Sequence, residues 1–149
     1  MLATEISFVP LEGLFTVLNA IVLPGWALLL VAPRWAWTRR LILAATIPFL
    51  ALTYVLLLAS TWGTAEGDFS SLEGVGLLFQ EPRILLAGWV HYLTFDLLTG
   101  LWETQESLRR GIPHWLLAPC LVVTLFFGPI GLGLFLIVRP LFQDDLDRP

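Results

Sequence analysis

Of the side chains able to move a proton or hold a polar ligand, Asp96 occupies the most costly position. It sits in the middle of Ile84–Trp102, an otherwise largely apolar run. An aspartate at the centre of a membrane helix costs roughly 2.5–3.5 kcal/mol on insertion scales, so it normally faces the bundle interior. There it would serve as proton donor, proton acceptor or ligand anchor, or else lock two helices through a hydrogen bond. His91 lies five residues earlier. At ~100° per residue that is about 140° around a helix, so the two side chains do not share a narrow face. A single His and a single Asp at this spacing make a poor metal pair, and Cys120 is the only cysteine, so no metal site is expected. Trp89, Asp96 and Glu103 recur every seven residues, with Tyr92 and Thr99 beside them. Asn19, with Glu12, Thr16 and Trp26, forms a comparable stripe upstream. Asn19, Trp26, Trp89, Tyr92 and Thr99 are therefore the candidate ligand-contacting residues. We expect a cavity bounded by Asp96, His91, Trp89 and Asn19, with Glu81 at its edge.

These residues need helices to carry them through lipid. The chain is 57% hydrophobic and 13% charged over 149 residues. A soluble domain carries about 25% charged residues, and a small one cannot hide such a deficit in a core. Four runs approach the roughly 20 apolar residues that a spanning helix needs: Gly13–Ala32, Leu41–Thr61, Ile84–Trp102 and Trp115–Val138. They are too long and continuous for barrel strands. The expectation is an all-α integral membrane four-helix bundle forming one domain. Thr46, Thr53 and Ser60 stripe the second run, and Cys120, Thr124, Gly128 and Gly131 the fourth, as small and hydroxyl residues do where membrane helices pack. Pro24, Pro48 and Pro129 predict kinks. Ser71–Phe79 predicts a short interfacial helix.

A net charge of −4 offers no basic patch for nucleic acid. All eight basic residues are arginine. With four full spans, Arg34, Arg39, Arg40, Arg109 and Arg110 fall on one side and Arg83, Arg139 and Arg148 on the other. The positive-inside rule then predicts cytoplasmic first and third loops, with both termini outside. The inner membrane of a bacterium is the expected location, and lipid the expected surrounding. Trp35, Trp37, Trp62, Trp102 and Trp115 lie near helix ends, as in an aromatic belt.

The stretch Glu81–Leu97, with Trp89, His91 and Asp96, resembles the third-helix pattern of the abscisic acid-deficient-four family. Leu125–Leu132, with Gly128, Pro129 and Gly131, is similar to its fourth helix, and Leu18, Asn19 and Val31–Pro33 to its first. The family contains a plastid membrane protein required for neoxanthin formation, together with bacterial relatives. The resemblance implies a membrane role in carotenoid or isoprenoid metabolism. The plant member is associated with turning an epoxide into an allenic alcohol, an isomerisation that needs no redox cofactor. Carried onto this chain, the resemblance makes Asp96 and Glu81 candidate acid or base and His91 their partner. Three hypotheses follow. The protein is an intramembrane isomerase, a non-catalytic carotenoid- or lipid-binding protein serving a partner membrane enzyme, or an assembly subunit.

Overall fold

The computed structural model describes the backbone of residues 2–142 and the side chains of residues 11–142. The described chain is all-helical. Helix α1 is Leu2–Val31. Helix α2, Ala36–Ala59, runs back. A short α3, Leu72–Leu78, follows in the connecting loop, then α4, Pro82–Arg110, and α5, His114–Val138. Four stretches are long and apolar enough to cross a membrane: Leu11–Val31, Ala36–Ala59, Pro82–Arg110 and His114–Leu141. The fold is thus a helical membrane bundle, as the hydropathy predicts.

Local chemistry sets the helix ends. Pro82 opens α4, where its missing N–H would be unpaired in any case. Gly111 ends α4 in the left-handed region (φ 67°, ψ 24°), and the Ile112 N–H bonds back to the Ser107 carbonyl at 2.9 Å. In α2, Pro48 cannot donate a backbone bond and crowds the carbonyl four residues before it. The helix widens to a π-turn over Ile42–Thr46, and Ile47 N–H bonds to the Ile42 carbonyl. Ser71 caps α3, accepting from the Gly74 N–H at 3.0 Å. In the same loop Ser70 donates twice to Asp68, holding its carboxyl below the usual carboxylate range.

Helix α4 is the axis of the bundle and packs against α1, α2 and α5. Trp26, only 3% exposed, lies on Gly100, and Leu97 fills the space beside Gly25. Leu18, Leu29, Leu50, Val90 and Leu121 complete the core with no exposed surface. The outward faces keep Leu52, Val55, Phe126 and Ile137 exposed. That pattern suits lipid rather than water.

The fourth apolar segment does not run straight. Phe127 (φ −140°, ψ 33°) and Gly128 (φ 12°, ψ −81°) leave the helical region just before Pro129. As one rod, 25 residues would carry Arg139 about 37 Å from His114. Instead Arg139 Nε reaches Glu106 Oε1 at 2.6 Å, and Arg110 donates to the Phe142 carbonyl at 3.1 Å. Phe135 meets Trp102 with ring centroids 5.5 Å apart. Gly131 lies against the backbone of Thr124, the residue seven earlier. These contacts fit one geometry, a hairpin. An inbound arm, residues 114–126, descends beside α4, and a return arm, residues 129–138, climbs back to the end it started from.

This reversal corrects the expectation that both termini share one face. The described ends, Leu2 and Phe142, lie at opposite ends of the bundle, because the last segment returns instead of crossing. Arg148 belongs to residues outside those described. His114 Nε2 lies 2.7 Å from the Leu30 carbonyl, so the α1–α2 and α4–α5 connections are together at the end that also receives Phe142.

Glu106 fastens the base of the hairpin. Its carboxyl accepts from Arg109 (2.9 and 2.8 Å), Arg110 (2.6 Å) and Arg139 (2.6 Å). Its side chain is 8% exposed, whereas those of Arg109 and Arg139 are 39% and 35% exposed. Glu106→Ala should therefore lower stability by about 1–3 kcal/mol, the range for lost charged hydrogen bonds discounted for solvent screening. Thermal unfolding in mild detergent measures the loss. An unchanged midpoint would remove Glu106 as the fastening.

Candidate ligand groove

Alongside α4 the hairpin fills only half the depth of the bundle. Its turn lies at the level of Asp96, where the Asp96 carboxyl packs on Gly128. Helix α4 has 29 residues, about 43 Å, and Asp96 is its midpoint. Beyond the turn, toward Pro82, no third helix among the described residues lines the seam between α1 and α4. A groove of about 560 Å³ opens there, within the 300–1,000 Å³ typical of small-molecule sites.

Its wall on α1 is formed by Leu11, Glu12 and Phe15, and on α4 by Leu85, Gly88, Trp89 and Tyr92, with Phe79 from the loop at the outer end. Phe15, Trp89 and Tyr92 form an aromatic ladder, with ring centroids 5.6 and 5.2 Å apart along it. Phe79 lies on Gly88, where no side chain keeps it away.

The polar atoms of the groove serve the fold as well. Asn19 donates to its own Phe15 carbonyl at 2.7 Å and accepts from Trp89 Nε1 at 3.2 Å, tying α1 to α4. Tyr92 donates its hydroxyl toward the carbonyls of Phe126 (3.1 Å) and Leu125 (3.4 Å). Those carbonyls end the inbound arm, where Pro129 leaves backbone acceptors without a helical partner. Asp96 follows Tyr92 by one turn on the same side of α4, which brings its carboxyl near the phenol. Asp96 Oδ2 is buried and has no hydrogen-bond partner among the described residues. Floor and hairpin turn thus form one polar patch: a phenol, a carboxyl and two carbonyls in an apolar surrounding.

The structure gathers only some of the sequence-selected residues. Trp89 and Tyr92 line the groove, Asn19 orients Trp89, and Asp96 lies behind the floor. His91 is elsewhere: its ring is 4.5 Å from Phe95 and 6.1 Å from Tyr54 of α2, on the opposite flank of α4. The expected cavity edge at His91 is corrected accordingly, by the 140° rotation already present in the spacing. Glu81 caps α4, accepting from the Arg83 N–H at 3.4 Å. It is 15 residues from Asp96, about 22 Å along the helix, so no single ligand atom touches both. Trp26 is core packing between α1 and α4, and Thr99 bonds its own Phe95 carbonyl at 2.7 Å; neither lines the groove. Thr53 likewise bonds the Phe49 carbonyl of its own helix at 2.9 Å.

Sequence reading did not select Glu12, Phe79, Leu85 or Gly88 as ligand contacts. It also gave no role of its own to Glu103. That residue is fully buried, and Thr124 Oγ lies 3.0 and 3.1 Å from its two carboxyl oxygens, joining α4 to the inbound arm. No cluster of three or more His, Cys, Asp or Glu able to hold a metal occurs among the described residues.

Fold and groove together define a small helical membrane protein with an open, aromatic-walled groove between α1 and α4. The family model described as ABA DEFICIENT 4-like matches residues 13–135, and the chain belongs to that family. No curated protein and no solved structure matches the chain.

Proposed function

We propose that the protein binds a carotenoid or related long isoprenoid in the α1–α4 groove and acts in the metabolism of that ligand, in the inner membrane of a bacterium. The supporting observation is the aromatic groove itself, open to the hydrocarbon and ending on the Tyr92–Asp96 patch. Family membership suggests a carotenoid-related membrane role. A flat polyene or its end ring fits between Phe15 and the Trp89–Tyr92 face, where aromatic contacts are worth about 0.5–1.5 kcal/mol each beyond burial.

A second reading adds chemistry to binding. In an epoxide-to-allene isomerisation, an acid protonates the epoxide oxygen while a base takes a vinylic proton, and no electrons leave the substrate. Tyr92 at the groove floor and Asp96 behind it are the groups there able to exchange a proton, which makes them the acid–base couple of this reading in place of Asp96 and His91. Without turnover, the same groove would present its ligand to a partner membrane enzyme.

Expression in a host that makes β-carotene tests the binding. The gently solubilised protein should carry a polyene absorption band. Leu85→Trp, which fills the groove from an exposed position, should fold normally and lose most of that band. Full pigment retention by this variant would remove the groove as the site.

A further inference from the structure

The half-depth hairpin fixes which half of the membrane the groove belongs to. Groove and hairpin occupy opposite halves of α4, meeting at Tyr92 and Asp96. Hairpin base, first loop and third loop share one end. That end carries Arg34, Arg39, Arg40, Arg109, Arg110 and Arg139, six of the seven arginines among the described residues. Only Arg83 lies at the groove end, beside a loop bearing Glu66, Asp68 and Glu73. With four full spans the arginine balance was five to three. The reversal moves Arg139 to the majority side and makes the asymmetry decisive for orientation.

The groove has its own directionality. Tyr92 is ten residues from Pro82, about 15 Å, half of a ~30 Å hydrocarbon core. Phe79 packs on Gly88 at the outer end, so the open side faces acyl chains. Whatever fills the groove must already be dissolved in that leaflet.

We propose that the groove takes its isoprenoid ligand sideways from the non-cytoplasmic leaflet, between α1 and α4, while the hairpin closes the cytoplasmic half. This rests on the reading that the groove holds a ligand. The ligand is a membrane-dissolved polyene, since the walls offer aromatic faces and, among the described lining residues, Glu12 alone carries a carboxylate. A molecule arriving from the cytoplasmic leaflet would meet the hairpin arms.

Single cysteines in a Cys120→Ser background test it in intact cells with a membrane-impermeant maleimide. Glu12→Cys, at the groove mouth, should label without permeabilisation, as should Ser70→Cys in the outer loop. Leu141→Cys should label only after permeabilisation. In a host making β-carotene, labelling of Glu12→Cys should slow by about tenfold if the pigment stands at ten times its dissociation constant, with Ser70→Cys unchanged. Glu12→Cys labelling only after permeabilisation, or Leu141→Cys labelling in intact cells, overturns the leaflet assignment while leaving pigment binding as measured. Equal Glu12→Cys rates in the two hosts overturn the occupancy beneath the proposal.

Discussion

Gly131→Val should leave the protein unable to assemble. A side chain at this position would have to occupy the space of Thr124, where its nearest neighbours are the Thr124 hydroxyl, N and Cα. Two of those three are backbone, which cannot swing aside as a side-chain tip can. The arms would have to part, and parting them breaks the Thr124–Glu103 contact and exposes a fully buried carboxyl. Overpacking alone costs about 1–3 kcal/mol, and an unpaired buried polar group about 1–3 kcal/mol more. The total is a large fraction of the 5–15 kcal/mol that holds a typical domain. Gly133→Ala is the control, since nothing lies within 4 Å of a Cβ there. It should be neutral or gain up to about 1 kcal/mol of helix propensity. Yield and elution as a single species in mild detergent separate the two. A Gly131→Val protein that purifies and melts like the parent would mean that the arms do not close as described.

The same glycines show where sequence reading reached and where it stopped. Hydropathy located all four apolar segments, because each stretch must be apolar whether it crosses or doubles back. That indifference also concealed the hairpin. Gly128-Pro129 is a turn signal, but inside 24 apolar residues it reads equally well as a kink. The contacts of Gly131, Phe135, Arg139 and Phe142 distinguish the two, and periodicity carries no such information. The difference in topology followed directly, since one reversed segment moves Arg139 and Phe142 to the other face.

The site was legible in proportion to polarity. Asn19, Trp89, Tyr92 and Asp96 carry hydrogen-bonding groups into lipid, and each proved to meet another helix or the hairpin turn. Leu85, Phe15 and Phe79 are no different in type from residues that simply face acyl chains, so their place in a groove depends on the absent third wall. His91 is set about 140° around the helix from Asp96 by its five-residue spacing. Its inclusion with Asp96 in one cavity rested on both being polar groups within a membrane helix, and the α4 geometry separates them.

Asp96 is where binding and chemistry divide. Its carboxyl packs on Gly128 and meets Tyr92, with Oδ2 buried. Asp96→Asn keeps the volume and one carbonyl oxygen, but an amide does not exchange a proton near neutral pH. This variant should assemble, hold pigment like the parent and, where the parent converts an epoxide-bearing carotenoid, lose about 10²–10⁴-fold in rate, the usual contribution of a positioned acid or base. Asp96→Leu should fare worse for a different reason. Its branched methyls press on Gly128, where no Cβ separates the backbones, so a stability loss of about 1–3 kcal/mol is expected. Chromatographic analysis of carotenoids in cells expressing each variant reads the first effect, and thermal unfolding of the purified proteins reads the second. Conversion by Asp96→Asn at the parent rate would remove the carboxyl from the chemistry and leave the groove a binding site. An unshifted midpoint for Asp96→Leu would in turn remove its contact with the hairpin turn from the forces that hold the fold.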